Sequence, residues 1–563
     1  MIAVNIDKVA FTYFSEPIFT ELSWEVHDDR VVGLVGPNGC GKSTLLKLIN
    51  RDLVPDSGFI SRKQSLITGY LPQEPELNLN KTVWDEVTSS HDNLNQIEQE
   101  LKDVEIKLGE PDIYNHPNKL AAIIDKQSRL IEAFNSLGGP GFEGHVKSIL
   151  EQVGFKSEDF TQEIGNLSGG QKKLVGLAKL LITKPELLLL DEPDNHLDIA
   201  GKDFLLNLIR NYQGAVIIVS HDRYLLDLAV DEIADLDQGK LKVYLGNYSE
   251  FSVEKENFEA RQLQLYQAQQ KDITRLEQSA KRLLSWGQIY DNEKFIKRGK
   301  NILKRIDRIE KIDQPLIDRD KMGLELAGWR GSSKVLEING LDKIFGSTNR
   351  KGLNDHLRKQ ENRIIFKDLD CLVWHGERIG LIGPNGSGKS LLFQMILGNE
   401  EPTKGTITFG PSIKIGYYAQ EHQTLDYEQT LIETVRNAAP ISETGAVAFL
   451  GRFMFDYDKA RDKVQSLSGG ERSRLQMALL MLSGANFLLL DEPTNNLDIQ
   501  SAEVLEEAMI QHEGSILVIS HDRYFLDRVA NKIIEIKNGT LISYSGNYSD
   551  YQRQKNKKPR FHV

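Results

Sequence analysis

The feature that most constrains the fold of this chain is an internal repeat of short motifs in one order. GPNGCGKST at 36–44 recurs as GPNGSGKSL at 383–391, and LPQE around Gln73 recurs as YAQE around Gln420, each 347 residues later. LSGGQ at 167–171 recurs as LSGGE at 467–471, now 300 residues later. LLLLDEP and VSHDRY recur as FLLLDEP and ISHDRY at this second offset. The sequence therefore predicts a duplicated folding unit.

The change of offset locates the segments in which the two copies differ. The first copy has 347 minus 300, or 47, additional residues between Gln73 and Ser168. Tyr13 and Phe345 are 332 residues apart, so the second copy has 15 additional residues, which we place within 349–363. We predict a first domain at 1–250, a linker at 251–332, a second domain at 333–553 and a tail at 554–563.

Both the additional segment of the first copy, about 88–140, and the linker have the pattern of helical hairpins. Apolar residues recur three and four positions apart, which places them on one helix face. The turn-rich GEPDIYNHPN divides the first segment, and SWGQIYDN at 285–292 divides the linker. The stripes are Leu94, Ile97, Leu101, Val104, Leu108, Ile123, Leu130, Phe134 and Leu137 in the first segment, and Ile273, Leu276, Ala280, Leu283, Phe295, Ile302, Ile306 and Ile309 in the linker.

Both glycine-rich segments fit the phosphate-binding pattern G-x-x-x-x-G-K-[ST]. Each follows an apolar strand and opens an apolar helical segment, which is the context that this pattern requires. Glycines let backbone N–H groups face phosphate oxygens, and the helix N-terminus favours the anion. A chance glycine-rich turn is a poor explanation of two copies in matched contexts. The candidate nucleotide-binding residues are Gly36, Pro37, Asn38, Gly39, Cys40, Gly41, Lys42, Ser43 and Thr44, and Gly383, Pro384, Asn385, Gly386, Ser387, Gly388, Lys389, Ser390 and Leu391.

The lysine and the next hydroxyl of each loop have separate expected roles. Lys42 and Lys389 are expected to reach the β- and γ-phosphates of ATP, and Ser43 and Ser390 to bind Mg²⁺. Cys40 is most simply a small residue of its loop, with redox regulation as the alternative.

Acidic pairs follow the two most apolar strands. LLLL at 187–190 is typical of a parallel strand buried on both faces, and ligands bind at the carboxyl ends of such strands. Asp191 and Asp491 are therefore candidate Mg²⁺ ligands, and Glu192 and Glu492 are candidate bases for the attacking water. A structural carboxylate is the alternative for any one of them. The sequence predicts an α/β chain of two P-loop NTPase units that hydrolyses ATP.

LSGGQ, LSGGE, DEPDNHLD, DEPTNNLD and both SHDRY segments resemble the signature sequences of ATP-binding-cassette proteins. The two fused cassettes, the helical arm in the first and the helical linker resemble the ABC-F subfamily over most of the chain. This resemblance implies two ABC cassettes packed head to tail, with two ATP molecules at their interface. Lys42 would then face Ser468, and Lys389 would face Ser168.

The same resemblance implies roles for residues around both sites. Ser168 is also a candidate helix N-cap, since an apolar helical pattern follows it, and the two roles are compatible. The implied signature contacts to ATP are Ser168, Gly169, Gly170, Ser468, Gly469 and Gly470. The other implied residues are Gln73 and Gln420 for Mg²⁺ and the attacking water, His221 and His521 for the γ-phosphate, and Tyr13 and Phe345 for stacking on adenine.

One position beside the acidic pairs departs from the repeat. Asp194 stands where the second copy has Thr494. A further carboxylate at this position either weakens turnover at its site or faces the solvent. We expect it to face the solvent.

Charge is segregated in the linker. From Lys281 to Lys311 there are ten Lys/Arg and four Asp/Glu residues, although the net charge of the chain is −12. Trp286, Tyr290 and Phe295 lie near the expected turn. Basic and aromatic residues together suit RNA backbone contact and base stacking, whereas a solvated charged helix pair is the ordinary alternative. By contrast, 91–140 holds nine acidic and five basic residues, and RQKNKKPRFHV at the C-terminus has five basic and no acidic residues.

Composition narrows the possible functions. No apolar stretch approaches the roughly 20 residues that span a bilayer, MIAVNIDKVAF has no secretory pattern, and Cys40 and Cys371 are the two cysteines. We therefore expect a cytoplasmic protein, and the pairing of two cassettes within one chain that the resemblance implies predicts a monomer. ABC-F linkers are associated with ribosome-bound tRNA, so a translation factor acting on the ribosome, with its linker directed to tRNA or rRNA, is the leading hypothesis. A ribosome-protecting antibiotic-resistance factor is the alternative within the subfamily. A transporter energy subunit and a chromosome-type cassette ATPase fit the short helical hairpins poorly.

Overall fold

The computed structural model describes residues 1–13, 16–64, 66–89, 92–109, 117–136, 139–290, 293–308, 332–345, 363–419, 425–453, 455–495 and 497–557. Each cassette contains a six-stranded sheet in which five parallel strands are followed by one antiparallel edge strand. In spatial order the strands are Thr68–Leu71, Leu187–Asp191, Ala215–Val219, Val31–Val35, Glu232–Asp237 and Lys240–Leu245 in the first cassette, and Ile415–Tyr418, Phe487–Asp491, Ser515–Ile519, Arg378–Ile382, Lys532–Lys537 and Thr540–Ser545 in the second.

A second, three-stranded antiparallel sheet completes each cassette. Its strands are Glu16–His27, Ile2–Tyr13 and Ser57–Arg62 in the first cassette, and Arg363–Trp374, Lys334–Phe345 and Lys404–Phe409 in the second. Ile6 and Trp24 of this sheet share one buried core with Leu45 of the phosphate-loop helix and Leu187 of the large sheet. The loop is therefore held between two sheets.

The helices of the two cassettes correspond in order, apart from the arm. The shared order follows from the duplicated sequence, because equivalent apolar patterns bury equivalent faces. The helices are Lys42–Asn50, Val83–Thr88, Asp92–Leu108, Pro117–Ser136, Phe142–Gln152, Gly169–Ile182, Ile199–Arg210 and Arg223–Ala229 in the first cassette, and Lys389–Ile396, Leu431–Ala438, Glu443–Gly451, Gly469–Leu482, Ile499–Gln511, Arg523–Val529 and Tyr548–Asn556 in the second. Short 3-10 helices are Gly139–Gly141, Ser157–Thr161, Ile164–Asn166, Lys459–Arg461 and Val464–Ser466.

The arm of the first cassette consists of Asp92–Leu108 and Pro117–Ser136, which pack against each other. Val104 of the expected stripe is buried, and Lys126 lies 3.1 Å from Glu100 across the pair. The expected turn residues 110–116, like Leu137, lie outside the described residues.

The linker is also a helical hairpin, but its first helix is longer than the sequence pattern predicts. Tyr248–Ile289 is one helix of 42 residues, so most of SWGQIYDN is helical and the predicted break at 285–292 is wrong over 285–289. The helix also runs through residue 250, our expected domain limit, because Tyr248 is buried in the first cassette. The second helix is Glu293–Asp307, and Ile309 lies beyond the described residues.

No helix within the described ranges combines the length and the apolar character that a membrane span requires. Residues 349–362 of the second-cassette insertion and 558–563 of the basic tail are outside those ranges.

The two linker helices approach closely at Gly299, and this contact can be tested. A Cβ atom at Gly299 would lie 2.8 Å from Leu284 Cγ and 3.2 Å from the Ala280 carbonyl oxygen. We expect Gly299→Val to destabilise the hairpin by about 1–3 kcal/mol through overpacking. Hydrogen exchange of linker peptides should accelerate while exchange in both cassettes is unchanged. The matched control is Asn301→Val at an exposed position of the same helix; equal exchange in the two variants would contradict the packing.

Candidate active site

The two phosphate loops have nearly the same backbone geometry. Gly41 and Gly388 precede the loop helices with φ of 102° and 95°, in the left-handed region that favours glycine. A Cβ atom at Gly41 would also lie 2.5 Å from Ile18 Cγ2. Conformation and space therefore both require glycine before each loop lysine.

The loop lysines fold back over their own loops. Lys42 Nζ donates hydrogen bonds to the carbonyl oxygens of Gly36 at 2.8 Å and Pro37 at 2.9 Å. Lys389 Nζ makes the equivalent bonds to Gly383 at 2.8 Å and Pro384 at 3.1 Å. Both ammonium groups thus lie inside the loop, where a bound phosphate would meet them.

The two aspartates at the strand ends are almost fully buried. Asp191 and Asp491 are each 2% exposed, and burial raises the pKa of both carboxyl groups. Hydrogen bonds with Ser43 and Ser390, and the charges of the loop lysines, act in the opposite direction. The Oδ1 atom of each aspartate is buried with no hydrogen-bond partner among the described residues. A buried carboxylate oxygen without a partner, beside a serine hydroxyl, suits a Mg²⁺ ion that also binds phosphate oxygens.

Glu192 and Glu492 occupy strained backbone positions. Both have φ of 48°, a region that non-glycine residues rarely adopt outside functional sites. Glu192 Oε2 accepts hydrogen bonds from Gln73 Nε2 at 2.7 Å and Asn195 Nδ2 at 2.5 Å. Gln73 therefore lies beside the candidate base. Gln420 lies outside the described residues.

The two glutamates differ in their electrostatic surroundings. Burial, and next the charge of Asp491, raise the pKa of Glu492 to about 8, against the opposing charge of Lys389. Burial also raises the pKa of Glu192, and there the next cause is Asp194. Both carboxyl groups are thus shifted toward the range in which a general base operates.

Each histidine of the SHDRY segments faces the glutamate of its own cassette. His221 Nε2 lies 3.7 Å from Glu192 Oε1, and His521 Nε2 lies 3.5 Å from Glu492 Oε1. Burial and the nearby loop lysines lower the pKa of His221 to about 4 and that of His521 to about 2. Both imidazoles are therefore neutral near pH 7, when each can donate one hydrogen bond and accept another.

The signature segments cap helices at the cassette interface. Ser168 and Ser468 are the N-caps of Gly169–Ile182 and Gly469–Leu482, each accepting a hydrogen bond from the residue three positions later. A cavity of about 780 Å³ lies between the cassettes and is bordered by Ser168 together with Lys389. Its border also includes Gly169, Gly170, Asn385, Gly386, Gly388, Ser390, Leu391, Gly469, Asp491, Glu492 and His521. The structure thus brings the second phosphate loop to the first signature segment.

Two aspartates that the sequence analysis missed join each phosphate loop to the opposite cassette. Asp198 Oδ2 accepts a hydrogen bond from the Asn385 backbone N–H at 3.2 Å, and Asp498 Oδ2 accepts one from Asn38 at 3.4 Å. The other oxygen of each aspartate caps the following helix. Their repetition after both acidic pairs was a usable signal.

Asp194 is not exposed to solvent, so our expectation for it is wrong. The residue is 4% exposed, and its carboxylate lies near the Lys202 ammonium. The sequence pattern could not show this, because a lysine eight positions later is an ordinary surface residue in most helices.

The two residues expected to stack on adenine lie at the ends of equivalent strands. Tyr13 ends Ile2–Tyr13 and is 53% exposed. Phe345 ends Lys334–Phe345, where its backbone pairs with Arg363; its side chain is not among the described parts of the chain.

Cys40 of the first phosphate loop packs against the core of the first cassette. Burial raises the pKa of its thiol, which disfavours the reactive thiolate.

The raised pKa of Glu492 predicts that the parent protein and the Glu492→Gln variant differ in stability by an amount that depends on pH. The folded protein holds this proton at pH values at which an unfolded glutamic acid, with a pKa near 4.5, has lost it. This group therefore lowers stability as pH rises from 4.5 toward 8, and Glu492→Gln removes that cost. Without nucleotide and with a chelator, the variant should be more stable than the parent by about 1–3 kcal/mol at pH 8 and by little at pH 4.5. Thermal unfolding against pH measures the difference.

The control for this experiment is Glu513→Gln, which removes an exposed carboxyl group. It should leave stability unchanged at every pH. A stabilisation by Glu492→Gln that does not vary with pH would contradict the raised pKa.

Comparison with known proteins agrees with this geometry. A family model described as "ABC transporter" matches residues 19–195 and 366–495, and a second model with that description matches 234–326. The chain is 34% identical to the energy-dependent translational throttle protein EttA of Escherichia coli K12, over 96% of this chain and 93% of EttA. It is 34% identical to the putative ATP-binding protein YdiF of Bacillus subtilis, over 99% and 83%. It is 32% identical to ABC transporter F family member 5 of Arabidopsis thaliana, over 97% and 77%.

Two solved structures share the fold. Archaeal ribosome recycling factor aABCE1, solved with stalk protein aP1, superimposes with a TM-score of 0.59 at 19% identity, over 98% of this chain and 92% of that one. RNase-L Inhibitor gives a TM-score of 0.56 at 20% identity, over 98% and 93%. These likenesses show the tandem-cassette architecture, and the sequence matches show the subfamily. The chain belongs to the ABC-F subfamily of ATP-binding-cassette proteins and is an ATPase.

Proposed function

We propose that this protein is a cytoplasmic, monomeric translation factor that binds the ribosome with ATP, directs its linker hairpin to tRNA or rRNA, and leaves after hydrolysis. The observation that carries this proposal is the basic linker hairpin, which starts inside the first cassette. EttA, a relative over nearly the whole chain, is named a translational throttle protein, which supports a role in translation.

The tip of the linker hairpin combines positive charge with exposed aromatic rings. Trp286 is 45% exposed and Tyr290 is 71% exposed, and the Trp286 ring meets Phe295 edge to face at 6.4 Å. The exposed basic residues of the hairpin from residue 281 to residue 308 are Lys281, Arg282, Lys294, Lys297, Arg298, Lys300, Lys304, Arg305 and Arg308. Cations attract the RNA backbone and aromatic faces stack on unpaired bases, so the tip suits RNA better than an apolar protein surface.

Each ATP site would combine residues of both cassettes. Lys42 and Lys389 would hold the β- and γ-phosphates, and the opposite signature segment would contact the γ-phosphate with its helix N-terminus. Glu192 and Glu492 would orient and deprotonate the attacking water. Because the γ-phosphate would join the two cassettes, its loss on hydrolysis weakens their contact and favours opening.

Mg²⁺ would be held in each site by one serine hydroxyl and one aspartate. Ser43 with Asp191 and Ser390 with Asp491 would supply these oxygens, and Gln73, which donates a hydrogen bond to Glu192, would join the first pair. Bound Mg²⁺ neutralises phosphate charge during phosphoryl transfer. No group of three or more His, Cys, Asp or Glu side chains suited to a metal is found in the described part of the chain, so phosphate oxygens and water would complete the coordination.

Ribosome binding by a hydrolysis-deficient variant tests the proposal. Glu192→Gln/Glu492→Gln should bind ATP without hydrolysing it and should sediment with ribosomes from the same source only when ATP is present. Replacing five linker-tip cations with glutamine should weaken this binding at least about tenfold and reduce its salt dependence. The replaced residues are Lys281, Arg282, Lys294, Lys297 and Arg298.

The matched control replaces five exposed cations of the cassettes and should bind nearly as well as the parent. These residues are Lys8, Arg51, Lys156, Lys240 and Lys537. Failure of the hydrolysis-deficient protein to bind ribosomes with ATP would refute the translation role. Relief of inhibition by ribosome-targeting antibiotics, in place of an effect on translation without drug, would favour the resistance role instead.

The pairing of sites across the interface gives a separate test. In the Glu192→Gln background only the second-cassette base remains, and we expect Ser168→Ala to lower kcat about tenfold, since one hydrogen bond to a charged group is lost. In the Glu492→Gln background the same substitution should change kcat less than about threefold. Ser468→Ala should show the reverse pattern. Equal effects in both backgrounds would show that the signature serines act only as helix caps.

A further inference from the structure

Lys202 of the first cassette is a partly buried cation at the interface between the cassettes. It lies on Ile199–Arg210, and its Nζ donates a hydrogen bond to Asp222 Oδ2 at 2.8 Å. Its side chain is 14% exposed. The same cavity is bordered by Lys202 of the first cassette and by Glu492 and His521 of the second. A cation from one cassette thus borders the same cavity as the candidate catalytic groups of the other.

The Lys202 ammonium group lies near three carboxyl groups. Asp194 and Asp222 come from the first cassette and Asp522 from the second, and all three act electrostatically on Lys202. Burial lowers the pKa of the Lys202 ammonium, but the three carboxylates outweigh burial and raise it. Lys202 is therefore charged near pH 7.

The second cassette has no equivalent pair. At positions 300 residues after Asp194 and Lys202 it has Thr494 and Ala502, both on the border of the same cavity. The motif residues themselves are repeated, so this acid–lysine pair is a difference in charge between two otherwise similar halves.

We propose that Lys202 is a positioning residue for the ATP site of the second cassette, and that Asp194 and Lys202 together make the two ATP sites unequal. The Lys202 cation borders the cavity between the second phosphate loop and the first signature segment, where the γ-phosphate of that site would lie. Asp194 lies two residues from Glu192 and adds a negative charge to the first site. The second-cassette site is therefore the faster one.

The electrostatic effects of the two residues have opposite signs. Asp194 adds a carboxylate two residues from Glu192, whereas Lys202 adds an ammonium group on the border of the cavity that Glu492 also lines. A fixed cation in a water-poor site also stabilises negative charge that develops on transferred phosphate. The inference rests on Glu192 and Glu492 being the bases of their sites, as proposed above.

Single-site backgrounds test this inference. With Glu192→Gln, which leaves the second-cassette site active, we expect Lys202→Met to lower kcat about tenfold, with a smaller change in KM for ATP. With Glu492→Gln, the same substitution should change kcat less than about threefold. Lys202→Arg, which keeps the charge, should recover most of the activity. The matched control is Arg210→Met, an exposed cation of the same helix, which should have no effect in either background.

Equal losses by Lys202→Met in both backgrounds, or no loss in either, would overturn the proposal, because Lys202 would then only support the interface. Hydrolysis by the Glu192→Gln/Glu492→Gln protein would instead overturn the assignment of the bases and the inference with it.

Discussion

A buried ion pair between the cassettes holds the two halves of both ATP sites in place. The Glu506 side chain is 0% exposed, and it pairs with Arg223 of the first cassette and with Arg528 of its own. A second contact runs in the opposite direction, since Arg523 Nη2 of the second cassette donates a hydrogen bond to Asp203 Oδ1 of the first at 2.6 Å. Breaking a buried pair leaves an uncompensated charge that costs about 3–5 kcal/mol. We therefore infer that the cassettes pivot about this contact and do not separate there when nucleotide leaves.

The pivot lies beside the start of the linker hairpin. Tyr248, the first residue of the long linker helix, is buried in the first cassette and donates a hydrogen bond from its hydroxyl to Glu503 of the second at 3.3 Å. Ser249 lies 3.3 Å from Tyr524 of the second cassette. Because this helix is continuous to Ile289, rotation at its first turn moves the tip, about 60 Å away at 1.5 Å per residue. A rotation of the cassettes about this contact would therefore also move the linker tip.

The sequence predicted the elements that depend on local pattern. The repeat predicted two α/β cassettes, and apolar spacing predicted helices in the arm and the linker. The linker helix is longer than predicted because the buried Tyr248 starts it inside the first cassette and the helix continues past Trp286, whose bulky side chain is compatible with helix. The contacts of Asp198 and Arg223 depend on how two distant segments meet, which no local pattern contains. The burial of Asp194 was missed for the same reason, since its partner Lys202 and the second cassette together exclude water from it.

Because each proposed ATP site combines residues of both cassettes, equal motifs lie in different electrostatic surroundings. A motif fixes the backbone of its own loop, as the matching φ of Glu192 and Glu492 shows. The charges around Glu492 come partly from the opposite cassette, because Lys202 acts on it, whereas Asp194, Asp191, Lys42 and Lys173, which act on Glu192, all belong to its own cassette. Asp194 acts on the site of its own cassette, while Lys202, eight residues later, acts on the other. Under the proposal above, the differences at Asp194 and Lys202 separate the two sites in function, while both loop lysines, the serines that follow them and both acidic pairs are retained.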